Sequence, residues 1–233
     1  MTLPTAQEHP APLFVYPRQS FLGRVVPKSK IYAYGGPGSR LKDLFVQQVE
    51  QIVWQHKLAP ETVNLPARPG VDEIQVFAIQ LKSGALHEDV LRCIDSAVHY
   101  PILFELKRGE AHSSQIKVIA AYKRPGLAAT AKLVTSGYFA TNWLPTQTPR
   151  CTMPFAVDMA MLYTALLSQV IPVPARAQES LHDWVARAES AAAKRHEIER
   201  VQARLAMEKH FNRKVEVNAT LRKLQAELTA IEL

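Results

Sequence analysis

Along the first half of the chain, apolar and polar positions change period several times, and each change marks an element. From Arg40 to Lys57 the apolar residues Leu41, Leu44, Phe45, Val49, Ile52 and Val53 recur at helical spacing, which predicts one amphipathic helix with Ser39 as its N-cap. Before it, Lys30–Tyr34 predicts a short strand, and Gly35-Gly36-Pro37-Gly38 breaks the chain. Glu73–Lys82 is rich in β-formers and predicts a strand buried on both faces near Val76–Ile79. A helix carrying Leu86, Val90, Leu91 and Ile94 follows, then a second strand at Pro101–Lys107. That connection is long enough for a crossover, so the two strands should run parallel in a right-handed βαβ unit. Gly109–Ser114 is a polar turn into Gln115–Lys123, a third strand expected antiparallel to the second, and Val134–Leu144 supplies a fourth. The fold class is α+β, a mixed β-sheet with packed helices, followed by a long helical C-terminal arm.

The two ends read differently from the middle. Residues 1–29 are proline-rich and aperiodic, so they are expected to form an extended arm tacked down by Phe14, Tyr16, Phe21 and Leu22. After a proline-bearing loop at 145–154, Phe155–Ile171 predicts a buried helix. Asp158 interrupts this run, which is short for a bilayer span of about 20 residues, so no membrane is expected. Pro172-Val173-Pro174 reads as a stiff linker. From Ala177 to Leu233 the chain is helical in character and contains no proline or glycine. Ile198, Val201 and Leu205 make one stripe, and Leu221, Leu224, Leu228 and Ile231 alternate three and four apart, the pattern of a coiled-coil seam. The boundaries are an arm at 1–29, a globular domain at 30–171, a linker at 172–176 and a helical arm at 177–233. The seam suits a subunit-docking surface or a second copy of the chain; the alternative is that the helix packs back on its own domain.

Composition narrows the class. A chain of 233 residues, 47% hydrophobic and 21% charged, suits one core plus an appendage rather than a disordered polymer. Cys93 and Cys151 have no cysteine neighbours, so neither a disulfide framework nor a zinc site is expected. Met1–Leu13 lacks the pattern of a signal peptide, and the two cysteines are expected to be buried thiols in a reducing cytoplasm. The formal charge of +7 suits a surface that meets phosphates or an acidic protein.

Four constellations bear on chemistry. Gly35-Gly36-Pro37-Gly38-Ser39-Arg40 opens a helix as a phosphate cradle would, but Pro37 removes a donor and the P-loop lysine is missing. Glu105-Leu106-Lys107 places a carboxylate and an amine on one face of a strand, as metal-dependent nucleases of the restriction-endonuclease type require. The aspartate such a site needs is poorly placed: Asp72 lies at the far end of a parallel pair, over about 15 Å away, and Asp95 lies late in the crossover helix. An antiparallel pairing would reopen this reading. His182, His196 and His210 recur every fourteen residues, about 21 Å apart along a helix, and share no metal. No metal or cofactor is expected. Finally, Lys28, Lys30, Arg40, Lys42, Lys57, Lys82, Lys107, Arg108, Lys123 and Arg124 form a basic set. Lys82 and Lys107 would share one end of the parallel pair, with Arg108 and Tyr122-Lys123-Arg124 nearby, either as a groove for a nucleic-acid backbone or as a solvated rim.

Several stretches also carry a resemblance: Val49-Glu50-Gln51-Ile52-Val53-Trp54-Gln55-His56-Lys57-Leu58-Ala59-Pro60-Glu61-Thr62, Glu73-Ile74-Gln75-Val76-Phe77, Ile94-Asp95, Pro101-Ile102-Leu103-Phe104-Glu105, Ala121-Tyr122-Lys123-Arg124 and Phe211-Asn212-Arg213-Lys214-Val215-Glu216-Val217-Asn218. In this order they resemble the bacterial family called domain of unknown function 4391, from about residue 14 to the end. The resemblance implies a companion of DNA methyltransferases and superfamily-two helicases in restriction-like and phage-defence gene clusters, and it transfers no catalytic residues. The expectation is therefore a non-enzymatic accessory subunit of a DNA-modification, restriction or antiphage complex. Its partner would be a methyltransferase or helicase subunit, with DNA as a further ligand; a toxin-like or regulatory RNA binder is a third reading. The alternative is a metal-dependent nuclease using Glu105, Lys107 and an aspartate such as Asp95.

Overall fold

Two compact units, Met1–Val170 and Ile171–Leu233, make up the computed structural model, which describes residues 13–82, 84–110, 113–124, 126 and 134–233. The first unit is built on a seven-stranded mixed sheet. Its spine is β4 (Ile74–Leu81) beside β5 (Ile102–Arg108), which run parallel and are joined through α4 (Glu88–Ala97). On one side lie β3 (Val49–Leu58) and then β2 (Phe21–Val25), each antiparallel to its neighbour. On the other lie β6 (Gln115–Arg124) and β7 (Val134–Ala140), again antiparallel, with short β8 (Leu144–Pro145) pairing β6. β1 (Phe14–Val15) pairs separately with β9 (Cys151–Thr152). The βαβ unit, the antiparallel third strand and the α+β class all stand as the sequence pattern predicts.

Three local expectations change. The expected helix from Arg40 to Lys57 is a helix followed by a strand: α2 (Ser39–Gln48) ends where β3 begins. The cause is a β-bulge, since pairing with β4 shifts register between Val49 and Gln51 and again between Trp54 and His56. An extra residue in a strand turns the period of two into a spacing of three, so buried Val49 and Ile52 imitate a helical stripe. The expected strand at Lys30–Tyr34 lies within α1 (Lys28–Gly35), where Ile31 is buried and Gly36 closes the helix in the left-handed conformation. A side chain at Gly35 would meet Cys93 Sγ at 2.7 Å, so glycine lets α1 pack close on α4. Residues 13–29 are not a separate arm. Leu13 and Phe14 are buried, and Phe21–Val25 is the edge strand β2. The apolar run at 155–171 holds a shorter helix than expected, α5 (Met159–Leu167), capped by the Asp158 carboxylate accepting from the Met161 amide.

Side chains sort cleanly between the two faces of the sheet. Phe77, Ile79, Phe104 and Leu106 meet Ile31, Phe45, Val90 and Ile94 of the helices. Alternation sends Val76, Ala78, Leu103 and Glu105 to the other face. On the helix side, the rings of Trp54, Phe77, Phe104 and Tyr138 follow one another at centroid spacings of 6.3, 6.5 and 6.3 Å. The row ends at a buried polar knot. Lys123 Nζ lies 2.8 Å from Asp95 Oδ1 and donates to the carbonyls of Asp95, Val98 and Tyr100, while Tyr138 donates to the same carboxylate. This ammonium therefore caps the C-terminal end of α4 as well as pairing with Asp95. Tyr163 of α5 bridges the β6 backbone beside it, accepting from the Lys123 amide and donating to Ala121 O, each at 2.9 Å.

In the second unit, α6 (Leu181–Met207) and α7 (Phe211–Glu232) pack as an antiparallel hairpin. Lys194 reaches Glu227 at 2.9 Å, Arg195 reaches Glu232 at 2.6 Å, and Arg187 donates to Ile231 O at 3.1 Å. Arg187 also pairs with Glu179 at 2.7 Å, and this bond holds the Glu179 carboxyl down at about 2. The bend at Glu208-Lys209-His210 contains no glycine or proline. The Glu208 carboxylate instead accepts the amides of Lys209 and His210, at 2.8 and 2.9 Å, at the start of α7. Leu224 is buried, and Leu221, Leu228 and Ile231 are half-buried, on the side of α7 that packs on α6.

The knot at Lys123 yields a stability prediction. Removing one member of a buried, hydrogen-bonded pair leaves an unmatched charge, so Lys123→Met should lower unfolding free energy by about 3–5 kcal/mol. The double change Lys123→Met with Asp95→Asn should recover part of that loss. Urea unfolding of the three proteins measures both, and equal losses in single and double variants would refute the pairing argument.

Candidate functional site

Glu105 sits in the middle of the second face of the sheet, only 1% exposed. Arg150 reaches it from the segment before β9 and binds both carboxylate oxygens, Nη1 to Oε1 at 2.7 Å and Nη2 to Oε2 at 2.8 Å. The same guanidinium donates to Phe14 O at 2.9 Å, which ties β1 into the pair. Bidentate geometry of this kind is the strong form of an ion pair. Burial and the nearby Glu105 charge push the Tyr16 hydroxyl well above the ordinary tyrosine range.

His56 of β3 extends the cluster. Its ring lies between those of Tyr16 and Phe21, at 4.6 and 5.5 Å between centroids, and Nδ1 is 2.9 Å from Ser20 Oγ. Ser20 is fully buried and its hydroxyl also donates to Pro17 O at 2.7 Å. A serine so placed is sealed from any substrate. The serine–histidine contact therefore anchors residues 16–21 on the sheet rather than activating a nucleophile.

The nuclease candidates do not converge. Glu105 and Lys107 do share a face of β5, as alternation requires. Asp95 belongs to α4, on the opposite side of the sheet, and both its carboxylate oxygens serve Lys123 and Tyr138. Asp72 precedes β4, whereas Glu105 is level with Ala78, about 20 Å further along a parallel pair. Any metal at Glu105 would first have to displace Arg150. Among the described residues, no three His, Cys, Asp or Glu side chains group as metal ligands.

The basic set divides by what each cation already holds. Lys28 donates to Val49 O at 2.6 Å and Lys82 to Val46 O at 3.0 Å, so both attach to carbonyls around the C-terminal end of α2. Burial, then the neighbouring Lys82 charge, holds the Lys28 amine below the usual lysine range. Lys57 pairs with Glu61 and Glu73. Lys123 is buried and is not available to a ligand. Lys82, Lys107 and Arg108 do share one end of the sheet, because β4 and β5 are parallel. Arg124 lies at the other end: β6 is antiparallel, Arg108 pairs with Gln115, and Arg124 is nine residues beyond, about 30 Å away. At the first end Arg108 stacks 4.0 Å over the Trp143 ring, its fork held by Gln115 and Gly84 O, and Lys117 approaches the same ring at 5.8 Å.

Lys30, Arg40 and Lys42 are exposed, and all three belong to the α1–turn–α2 segment. Lys30 and Tyr34 are one helical turn apart on the same side of α1, and Tyr34 is 78% exposed. Lys42 and Arg40 start α2, whose first turn carries no acidic residue, and Lys42 lies 5.7 Å over the Tyr32 ring. This surface offers an open aromatic ring among cations, the chemistry of a nucleic-acid contact. The sequence pattern identifies the cations but not Tyr34, which lies in the last turn of α1 and stays open although Ile31, one turn before it, is buried.

His56 gives the cluster a pH signature. Burial holds its imidazole below the ordinary 6.5, with Glu105 opposing that shift and Arg150 reinforcing it. A depressed histidine favours the neutral form in the fold, so its contribution is complete above about pH 6.5 and declines as pH falls below that value. The urea midpoint should therefore drop between pH 7 and pH 5, and drop less in His56→Gln. Equal pH dependence in the two proteins would exclude His56 as the sensor.

No curated protein and no solved structure matches the chain. A family model does match, from residue 14 to residue 228, and it spans most of the 233 residues. The chain belongs to the family described as Domain of unknown function (DUF4391).

Proposed function

We propose that this protein is a non-catalytic accessory subunit of a cytoplasmic DNA-modification, restriction or antiphage complex. Its sheet unit contacts nucleic acid through the α1–α2 turn, and its helical unit holds a partner enzyme, a methyltransferase or a helicase. The observation that carries the nucleic-acid half is Tyr34, an exposed ring beside Lys30 and followed by Arg40 and Lys42. Exposed cations supply sequence-independent attraction to phosphates, and an exposed ring accepts the face of any base. The net charge of +7 favours the same ligand. Against the alternative of a metal-dependent nuclease stands the occupied fork of Glu105, which leaves Lys107 without a free carboxylate beside it.

Equilibrium binding to a fluorescent single-stranded oligonucleotide at a series of salt concentrations tests the reading. Replacing Lys30, Arg40 and Lys42 together by alanine should reduce the magnitude of the salt slope by about 2, since each phosphate contact on a single strand contributes about 0.7. Tyr34→Ala should cost about 1–3 kcal/mol and leave the slope unchanged. Binding that is unaffected by all four changes, or cleavage of the oligonucleotide abolished by Glu105→Gln, would overturn the proposal.

A further inference from the structure

We propose that the docking surface of the helical unit is the tip of the α6–α7 hairpin, and that its occupant is a protein segment with an apolar centre and an acidic rim. This rests on the partner-binding half of the reading above and gives that partner a chemistry. The leucine seam is a poor candidate, because it lies on the side of α7 that packs on α6. The large apolar side chains left open near the bend are Met207, Phe211 and Val215, at 83%, 77% and 53% exposure. Phe211 and Val215 stand one turn apart on α7, about a third of a turn or more away from the buried direction of Val217 and Leu224. The bend brings Met207, the last residue of α6, next to the start of α7. Three apolar side chains in such positions remain wetted unless another surface covers them.

Charge selects the occupant. Arg204, Lys209, Arg213 and Lys214 surround the tip, and among the described residues none of them forms a side-chain ion pair. Two acids lie in the same stretch, Glu208 and Glu216, and the Glu208 carboxylate is held by the amides of Lys209 and His210. A second copy would bring the same positive rim against this one, which like-charge repulsion disfavours. A nucleic acid would satisfy the cations but leave Met207 and Val215 uncovered, since bases stack on rings. A protein surface with apolar side chains inside a ring of carboxylates satisfies both requirements, as interface cores and rims commonly do.

Photocrosslinking in the cells that make the protein tests this. The full-length chain carries p-benzoylphenylalanine at position 211, and illuminated adducts are identified by mass spectrometry. The expected result is one other protein, linked through a segment rich in aspartate and glutamate. Its yield should fall about tenfold when Lys209, Arg213 and Lys214 are changed to glutamate, and persist when Lys209→Arg, Arg213→Lys and Lys214→Arg preserve the charge. Far-UV circular dichroism checks that both variants stay helical. Adducts to a second copy of the chain, to nucleic acid or to lipid would overturn the proposal. So would a yield insensitive to charge reversal, or no adduct above that from the same probe at exposed Gln225. Probes at Tyr34 and Phe155 separate the two claims: a partner captured there but not at the tip refutes the tip alone, and no protein captured at any of the three refutes the partner reading as well.

Discussion

A carboxylate placed in the middle of a β-sheet must have its charge matched, and the match between Glu105 and Arg150 organises one whole face of this fold. Removing Glu105 from water is tolerable because the guanidinium binds both of its oxygens. That geometry requires the 150 region to cross the sheet at β5, and the donation to Phe14 O then carries the chain near its start to the same place. Tyr16, Ser20 and His56 continue the attachment outward to the edge strand. Segments separated by more than a hundred residues are thus fixed to one side chain of a central strand. The same interaction bears on Glu105 alone as a candidate ligand, since an acid committed to a structural fork is not free to bind a metal.

Elements whose periodicity is undisturbed were legible from residues alone. β4, α4, β5 and β6 form the centre of the sheet, and their parallel and antiparallel relations follow from connection length. The misread region is β3, for a definite reason: two bulges within ten residues convert alternation into threes and fours. Val49, Ile52 and Val53 are β-branched, and their type was a better guide than their spacing. α1 failed in the other direction. Its isoleucine and tyrosines favour a strand, yet a glycine that admits close contact with Cys93 makes a helix the better packed choice.

The candidate site was legible only in part, because a sequence counts cations without saying what already holds them. Lys28 and Lys82 serve a helix terminus, Lys123 is buried in the Asp95 knot, and Arg108 lies on Trp143. Each contact joins positions about 20 or more residues apart, beyond the reach of local pattern. Lys30, Arg40 and Lys42 remain on the surface, and the exposed ring on the same segment comes from a residue type that the sequence offered seven times. Exposure, not residue type, distinguishes Tyr34 from Tyr32, Tyr138 and Tyr163.

The helical unit shows how a correct pattern leads to an incomplete function. A seam of leucines at alternating spacing states that a helix needs a helical partner, and it does not state whether that partner is in another chain. Here α6 supplies it, which requires the chain to reverse within three residues that include neither glycine nor proline. The reversal is made by Glu208, whose carboxylate occupies amide donors that a continuing helix would otherwise direct to the preceding turn. Once the seam is closed, whatever this unit recognises must be read from side chains that folding leaves uncovered, and near the bend those are Met207, Phe211 and Val215 amid lysines and arginines. A surface of that kind is stable in water only at a cost in exposed apolar area, and the proposed partner would remove that cost while the seam keeps the two helices in register.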